Sequence, residues 1–310
     1  MSHTAILFPG QGAQAVGMGK DLAEAFPASR AVFDTANRVL GFDLARLCFE
    51  GPIEELTKSS NTQPAIFTVS AACFAALRAQ RPDVAFAATA GLSLGEWSAL
   101  WYAGSISLED ALRVLQARGR FMQESCDERP GGMVSIIGAA PDKVQALCAA
   151  TGVEVANFNS ADQIVLSGPA DRIAEAAKRA AEFGARKAVK LNVAGAFHSS
   201  LMASAARKLE ALLAGVTFKA PARPVFSNVS GRPHGSPDEI RQLMVQQVTS
   251  SVRWISCVEG MKAQGIRAHL ECGPGKVLAG LVKRIDKDAA VHNINDRPTL
   301  EGALNSGAIA

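Results

Sequence analysis

The chain has 310 residues, 48% of them hydrophobic and 20% charged, with a formal net charge of +3. That length suits one large domain carrying an insert, and the composition is ordinary for a cytosolic α/β enzyme. A small net charge without a long basic run argues against nucleic acid as the main partner, and no apolar run reaches the ~18 residues that span a bilayer.

The N-terminal segment has no basic stretch ahead of a long apolar core, so no signal peptide is expected and the cytoplasm is the expected location. Six cysteines (Cys48, Cys73, Cys126, Cys148, Cys257 and Cys272) lie far apart, without C-x-x-C. They are expected to be reduced core residues, and with few histidines no metal is expected.

In chain order, the apolar run Ala5–Phe8 predicts a buried strand ending in the tight loop Pro9-Gly10-Gln11-Gly12. Helical patterns follow at 17–40 and 61–80, the second with Ile66, Val69, Cys73 and Leu77 on one face. Val84–Ala90 predicts a second strand, ending at Gly91-Leu92-Ser93-Leu94-Gly95-Glu96. Residues 97–102 and 108–125 are expected to be helical.

At Arg129-Pro130-Gly131-Gly132 the character changes. Strand 133–138, helix 141–151, strands 153–158 and 163–167, helix 170–183 and strand 187–193 give β-α-β-β-α-β, the ferredoxin-like order. After His198 the alternation of strand and helix resumes: strand 224–228, helices 237–249 and 251–264, strand 267–271, a helix to about 285, and strand 290–294. The expected fold class is therefore α/β, an α/β-hydrolase-like parallel sheet covered on both faces with a ferredoxin-like subdomain inserted. The boundaries expected are 1–128 with 198–310 for the large domain and 129–197 for the insert.

Gly91-Leu92-Ser93-Leu94-Gly95 is G-x-S-x-G between a strand and a helix. Small residues on either side let the backbone turn sharply and lift the serine oxygen off the sheet. The helix that follows turns N–H groups toward a developing oxyanion. Serine needs a base at neutral pH, and five histidines are candidates: His3, His198, His234, His269 and His292. His3 lies at an end expected to fray, His234 in a loop, and His269 and His292 in strands. His198 follows Gly195-Ala196-Phe197 where the insert rejoins the main domain, and pockets form at such seams. It is favoured over the other four, which the residue pattern leaves open.

The chain resembles the malonyl-CoA:acyl carrier protein transacylases of bacterial fatty-acid synthesis and the related acyltransferase domains of polyketide synthases. The matching segments run in order: Phe8 to Gly12, Gly91 to Glu96, Arg118 to Gln123, Asn157 to Ser160, Gly195 to Ser199, Asn228-Val229, Ser251 to Trp254, and Glu271 to Leu278. The resemblance implies Ser93 as nucleophile, His198 as base, and the backbone N–H groups of Gln11 and Leu94 as oxyanion hole. It implies that Arg118 binds the malonyl carboxylate and that the Gln247 carbonyl steadies the base, with no acidic third member. Phe197 accompanies malonyl use in such domains. The substrates implied are coenzyme A thioester and the phosphopantetheine arm of acyl carrier protein, so no bound cofactor is required, and a monomer is expected.

Leu92 departs from the histidine usual there, and Ala161 from a frequent proline. Rival functions are a free-standing acyltransferase of a polyketide synthase, a serine acyl hydrolase, and a non-catalytic carrier-binding protein.

Overall fold

A five-stranded parallel sheet and a four-stranded antiparallel sheet organise the computed structural model, which describes residues 3–306. β1 (Thr4–Phe8) starts the chain and is followed by α1 (Lys20–Ala25), α2 (Pro27–Leu40), α3 (Leu44–Glu50), α4 (Ile53–Thr57) and α5 (Ser59–Gln80). β2 (Ala88–Gly91), α6 (Gly95–Tyr102) and α7 (Leu108–Glu128) lead into the small sheet. That sheet comprises β3 (Gly131–Ile137), α8 (Pro141–Thr151), β4 (Glu154–Ser160), β5 (Gln163–Pro169), α9 (Ala170–Arg179) and β6 (Lys187–Lys190). The return to the large sheet runs through α10 (Ala203–Leu213), β7 (Val225–Phe226), α11 (Pro237–Gln246), α12 (Trp254–Ala263), β8 (Ala268–Cys272), α13 (Val277–Ile285), β9 (Ala290–Ile294) and α14 (Arg297–Asn305).

The large sheet runs β7-β2-β1-β8-β9, all parallel, with β1 at its centre. Side chains alternate along a strand, so β1 serves two cores at once. Ile6 and Phe8 enter the larger apolar cluster, and Ala5 and Leu7 the cluster formed with α12 and α13. The small sheet has the order β4-β5-β3-β6 with antiparallel pairs, which is the ferredoxin-like arrangement. Val134, Ile136, Ile164 and Leu166 face α8 and α9, while Met133 and Val165 on the opposite face join the main core. The residues 250–253 tie the sheets together: Val252 N–H donates to the Ala156 carbonyl and the Val252 carbonyl accepts from Phe158, both within 2.9 Å.

Several expected elements are shorter or broken for identifiable reasons. The helix expected over 17–40 is interrupted at Phe26, extended at φ −126° because Pro27 follows it. Of the strand expected at 84–90 only Ala88–Ala90 joins the sheet, in a strand that runs on to Gly91, and Phe86 N–H donates instead to the Tyr102 hydroxyl. Helix 251–264 starts late, at Trp254, because Val252 is bridging to β4. His3 is not loose: its carbonyl accepts from Arg267 and Ala268 N–H. Helices α3, α4, α10 and α14 lie outside the elements expected.

No helix of the described residues is long and apolar enough to cross a membrane, and they contain no cluster of metal-ligating side chains.

Two glycines bring β1, β2 and α6 into contact. A Cβ on Gly91 would lie 2.0 Å from the Gly95 carbonyl, and a Cβ on Gly95 would lie 2.2 Å from the Phe8 carbonyl. Both clashes are with backbone, which cannot swing aside. Gly95→Ala is therefore expected to destabilise the protein by about 3 kcal/mol or more. Urea unfolding measures it, and a loss under about 1 kcal/mol would show that the sheet and helix part more easily than this packing implies.

Candidate active site

Ser93 sits in the turn between β2 and α6 at φ 55°, and His198 lies in the segment returning from the small sheet at φ 57°. They are the two non-glycine residues with positive φ among the described residues, and both carry backbone strain. Ser93 is held by Asn228, just past β7: its N–H donates to Asn228 Oδ1 at 2.7 Å, and Asn228 Nδ2 donates to the Gly91 carbonyl at 2.8 Å. Near His198, the Ser199 hydroxyl donates to the Ala196 carbonyl at 2.7 Å and fixes the turn.

The two side chains meet. His198 Nε2 lies 2.8 Å from Ser93 Oγ, and His198 Nδ1 lies 2.8 Å from the Gln247 carbonyl. A carbonyl only accepts, so Nδ1 carries the hydrogen and Nε2 presents its lone pair to the serine hydroxyl. Burial, and then the neighbouring Arg118 charge, pull the imidazole down from 6.5 to about 4. It is neutral at pH 7 and able to take a proton.

Arg118 projects from α7. Ser107 caps that helix by accepting from Asp110 N–H, and Leu112, Leu115 and Met122 bury its inner face. Gly119 lets α7 approach α5 closely, since a Cβ there would lie 2.1 Å from the Ser59 carbonyl. The adjacent Arg118 is 1% exposed. Its Nη1 donates to Gln63 Oε1 at 2.8 Å, and its Nη2 to Gln247 Oε1 at 3.0 Å and Ser93 Oγ at 3.3 Å. Burial lowers its pKa to about 10, with the charge of Glu96 opposing that shift, so it stays cationic at neutral pH. No carboxylate touches it directly.

Ser93, Arg118, His198, Phe197 and Gln11 line a single cavity of about 550 Å3, which is also lined by Met133, Ser135, Asn157 and Val165 of the small sheet, on its face toward the main core. Leu92 also lines it. The Leu94 side chain does not; it is buried in the core. Neither the Leu94 nor the Gln11 N–H donates to a protein acceptor among the described residues. Gly10 permits the approach of that loop, as a Cβ there would sit 2.6 Å from the Leu92 carbonyl.

Of the other histidines, His269 is buried in β8 and held down to about 4 by burial, and His292 lies in β9. His234 is buried beneath the turn, with Nε2 2.6 Å from Glu96 Oε1. Glu96, Asn228 and Gln63 were missed as site residues, and His234, one of the candidate bases, meets Glu96 instead of the serine. One signal was present: Gln63 is a polar residue on the apolar face of α5.

The chain can therefore form a covalent ester at Ser93 beside a buried cation. The acyl transferase domain family matches residues 6–297. The malonyl CoA-acyl carrier protein transacylase of Escherichia coli (strain K12) is 41% identical over 308 residues, covering 98% of this chain and 99% of that protein. The solved acyl carrier protein S-malonyltransferase of Vibrio cholerae is 40% identical with a TM-score of 0.93, covering 97% of this chain and all of that one. A malonyl-transacylase solved in complex with a type II PKS acyl-carrier protein is equally similar: 40% identity, TM-score 0.93, 99% of this chain and 100% of that one. The chain belongs to the acyl transferase domain family and, within it, to the malonyl CoA-acyl carrier protein transacylases.

Proposed function

We propose that this protein transfers the malonyl group of malonyl-CoA, through an ester on Ser93, to the phosphopantetheine thiol of an acyl carrier protein. The observation that carries the site reading is a fully buried guanidinium 3.3 Å from a serine oxygen that is paired with a neutral histidine.

In the first half-reaction Ser93 Oγ attacks the thioester carbonyl carbon while His198 Nε2 takes the hydroxyl proton. The carbonyl oxygen becomes an oxyanion, stabilised by the N–H groups of Gln11 and Leu94. The C–S bond then breaks and the imidazolium returns its proton to the departing thiolate. In the second half the carrier's thiol gives its proton to His198 and attacks the ester, and Ser93 leaves and recovers that proton. Thiol and hydroxyl exchange one acyl group with no redox change, so no bound cofactor is required.

Arg118 selects the acyl group. Its fork can hold the malonyl carboxylate through two hydrogen bonds, a geometry lysine cannot match. Phe197 walls the same cavity beside the base, and the Gln247 carbonyl orients that base. The carrier of fatty-acid synthesis is the first partner expected, in the cytoplasm. The similarity to the transacylase solved with a type II PKS carrier supports a polyketide carrier as the second reading.

Incubation with labelled malonyl-CoA is expected to place the label on Ser93, and Ser93→Ala to abolish both the ester and transfer. Label elsewhere in the chain, or full transfer by the mutant, would remove the assignment. Arg118→Ala is expected to cost malonyl transfer roughly 2–5 kcal/mol, or about 30- to 5,000-fold in kcat/KM, while acetyl transfer falls little. Equal losses for the two acyl groups would make Arg118 structural.

The pH dependence follows from the depressed His198 pKa. Acylation needs the neutral imidazole, so the rate falls only as pH drops through its folded value of about 4, not through 6.5. Labelling of Ser93 by an uncharged phosphonofluoridate, whose own charge does not titrate, should stay level from pH 7 to about 5. An acid limb centred near 6.5 would contradict the buried, Arg118-facing placement of the base.

A further inference from the structure

Beneath the nucleophile turn lies a buried hydrogen-bond chain that the reaction above does not use. Glu96 is 0% exposed and sits on α6 three residues after Ser93. Its Oε1 faces His234 Nε2 at 2.6 Å, and its Oε2 accepts from Asn228 N–H at 3.1 Å and Gln247 Nε2 at 2.5 Å. The same Gln247 nitrogen donates to the Ser93 carbonyl at 3.0 Å, and Gln247 Oε1 accepts from Arg118.

The chemistry of these neighbours leaves one orientation for the Gln247 amide. A carboxylate and a carbonyl only accept, and a guanidinium only donates. The amide must turn its NH2 to Glu96 and Ser93 and its oxygen to Arg118. The reversed amide would set oxygen against two acceptors and NH2 against a cation in a dry interior, where each unpaired group is costly.

We propose that Glu96, anchored by His234, is a positioning residue for acyl-group selection: it orients the Gln247 side-chain amide, which in turn fixes the Arg118 guanidinium beside Ser93. Glu96 does not line the cavity and touches no reacting atom. Its influence on the substrate passes through Gln247 and Arg118. This role for the Gln247 side chain is separate from that of its backbone carbonyl, which holds His198.

The inference rests on the malonyl-transfer reading, and the test separates the two. Steady-state kcat/KM is measured with malonyl-CoA and with acetyl-CoA, using the full chain and a carrier. Glu96→Ala is expected to lower the malonyl-to-acetyl ratio by about tenfold or more, because the guanidinium loses its fixed partner. Glu96→Gln can keep an oxygen toward Asn228 and Gln247 and turn its nitrogen to the other tautomer of His234, so the ratio should stay within about threefold of wild type.

The decisive readout is the Arg118→Ala background. There Glu96→Ala is expected to leave the ratio unchanged, because Glu96 acts on it only through Arg118. If Glu96→Ala does not fold, Gln247→Leu, which retains the backbone carbonyl, carries the same ratio test. A role for Glu96 is overturned if Glu96→Ala lowers both substrates equally, if Glu96→Gln loses as much selectivity as Glu96→Ala, or if the effect persists without Arg118. Wild-type protein that forms no malonyl ester would instead overturn the functional reading itself, and this inference with it.

Discussion

A cation buried without a carboxylate in direct contact is the constraint on which this site depends. Arg118 is 1% exposed and hydrogen-bonded to three neutral oxygens. Amide and hydroxyl dipoles solvate the guanidinium but do not neutralise it; Glu96 makes no direct contact with it, being hydrogen-bonded to it only by way of Gln247 and otherwise acting through its charge across that gap. A buried charge in that condition favours any anion that can enter the cavity. Such a site binds a substrate carboxylate more readily than a neutral acyl group, before any question of shape arises.

The same charge links recognition to chemistry. Arg118 is one of the two causes that hold the His198 imidazole low, after burial. In the malonyl-transfer reading proposed above, a malonyl carboxylate on the guanidinium would offset that positive charge and so strengthen the base. Acetyl-CoA brings no carboxylate and leaves the base weak. In that reading, selectivity would reside partly in proton transfer and not only in binding. That coupling needs Arg118, Ser93 and His198 in direct contact, which the 3.3 Å and 2.8 Å distances provide.

Holding them there strains the backbone at both reacting residues. Positive φ at Ser93 and His198 costs on the order of 1–3 kcal/mol at each. Glycines that permit backbone contact, the Asn228 clamp and the Gln247 carbonyl offset it. These parts differ in how far the sequence reveals them. The nucleophile turn and the ferredoxin-like order were legible because glycine spacing and strand periodicity are local signals. His198 could be favoured only from its place at a seam. Helical periodicity alone does not set Arg118 apart from any other helix arginine, and resemblance alone marked it. Glu96 and Asn228 were not legible as site residues, nor His234 as the partner of Glu96, because their partners lie 132 to 151 residues away in sequence. Nothing in a linear pattern announces such a pairing.

Leu92 shows how the network tolerates change at its edge. The resemblance leads one to expect histidine there, yet the backbone duties of the position are kept: its N–H donates to the Phe8 carbonyl and its carbonyl accepts from Gly95. Its side chain packs toward the cluster of β1, α12 and α13 and forms part of the cavity wall. The ionisable residues lining that cavity are Glu54, Lys58, Arg118 and His198. Lys58 is 2.6 Å from Glu55, so its charge is already partnered. With leucine at 92, that position adds no ionisable group to the cavity, and the ionisable side chains closest to the nucleophile turn are Arg118 and His198 in the cavity and Glu96 and His234 beneath the turn. The turn needs glycine at 91 and 95 for steric reasons, but position 92 needs only a backbone and a surface. The polarity there is therefore free to vary while the reacting atoms stay in place.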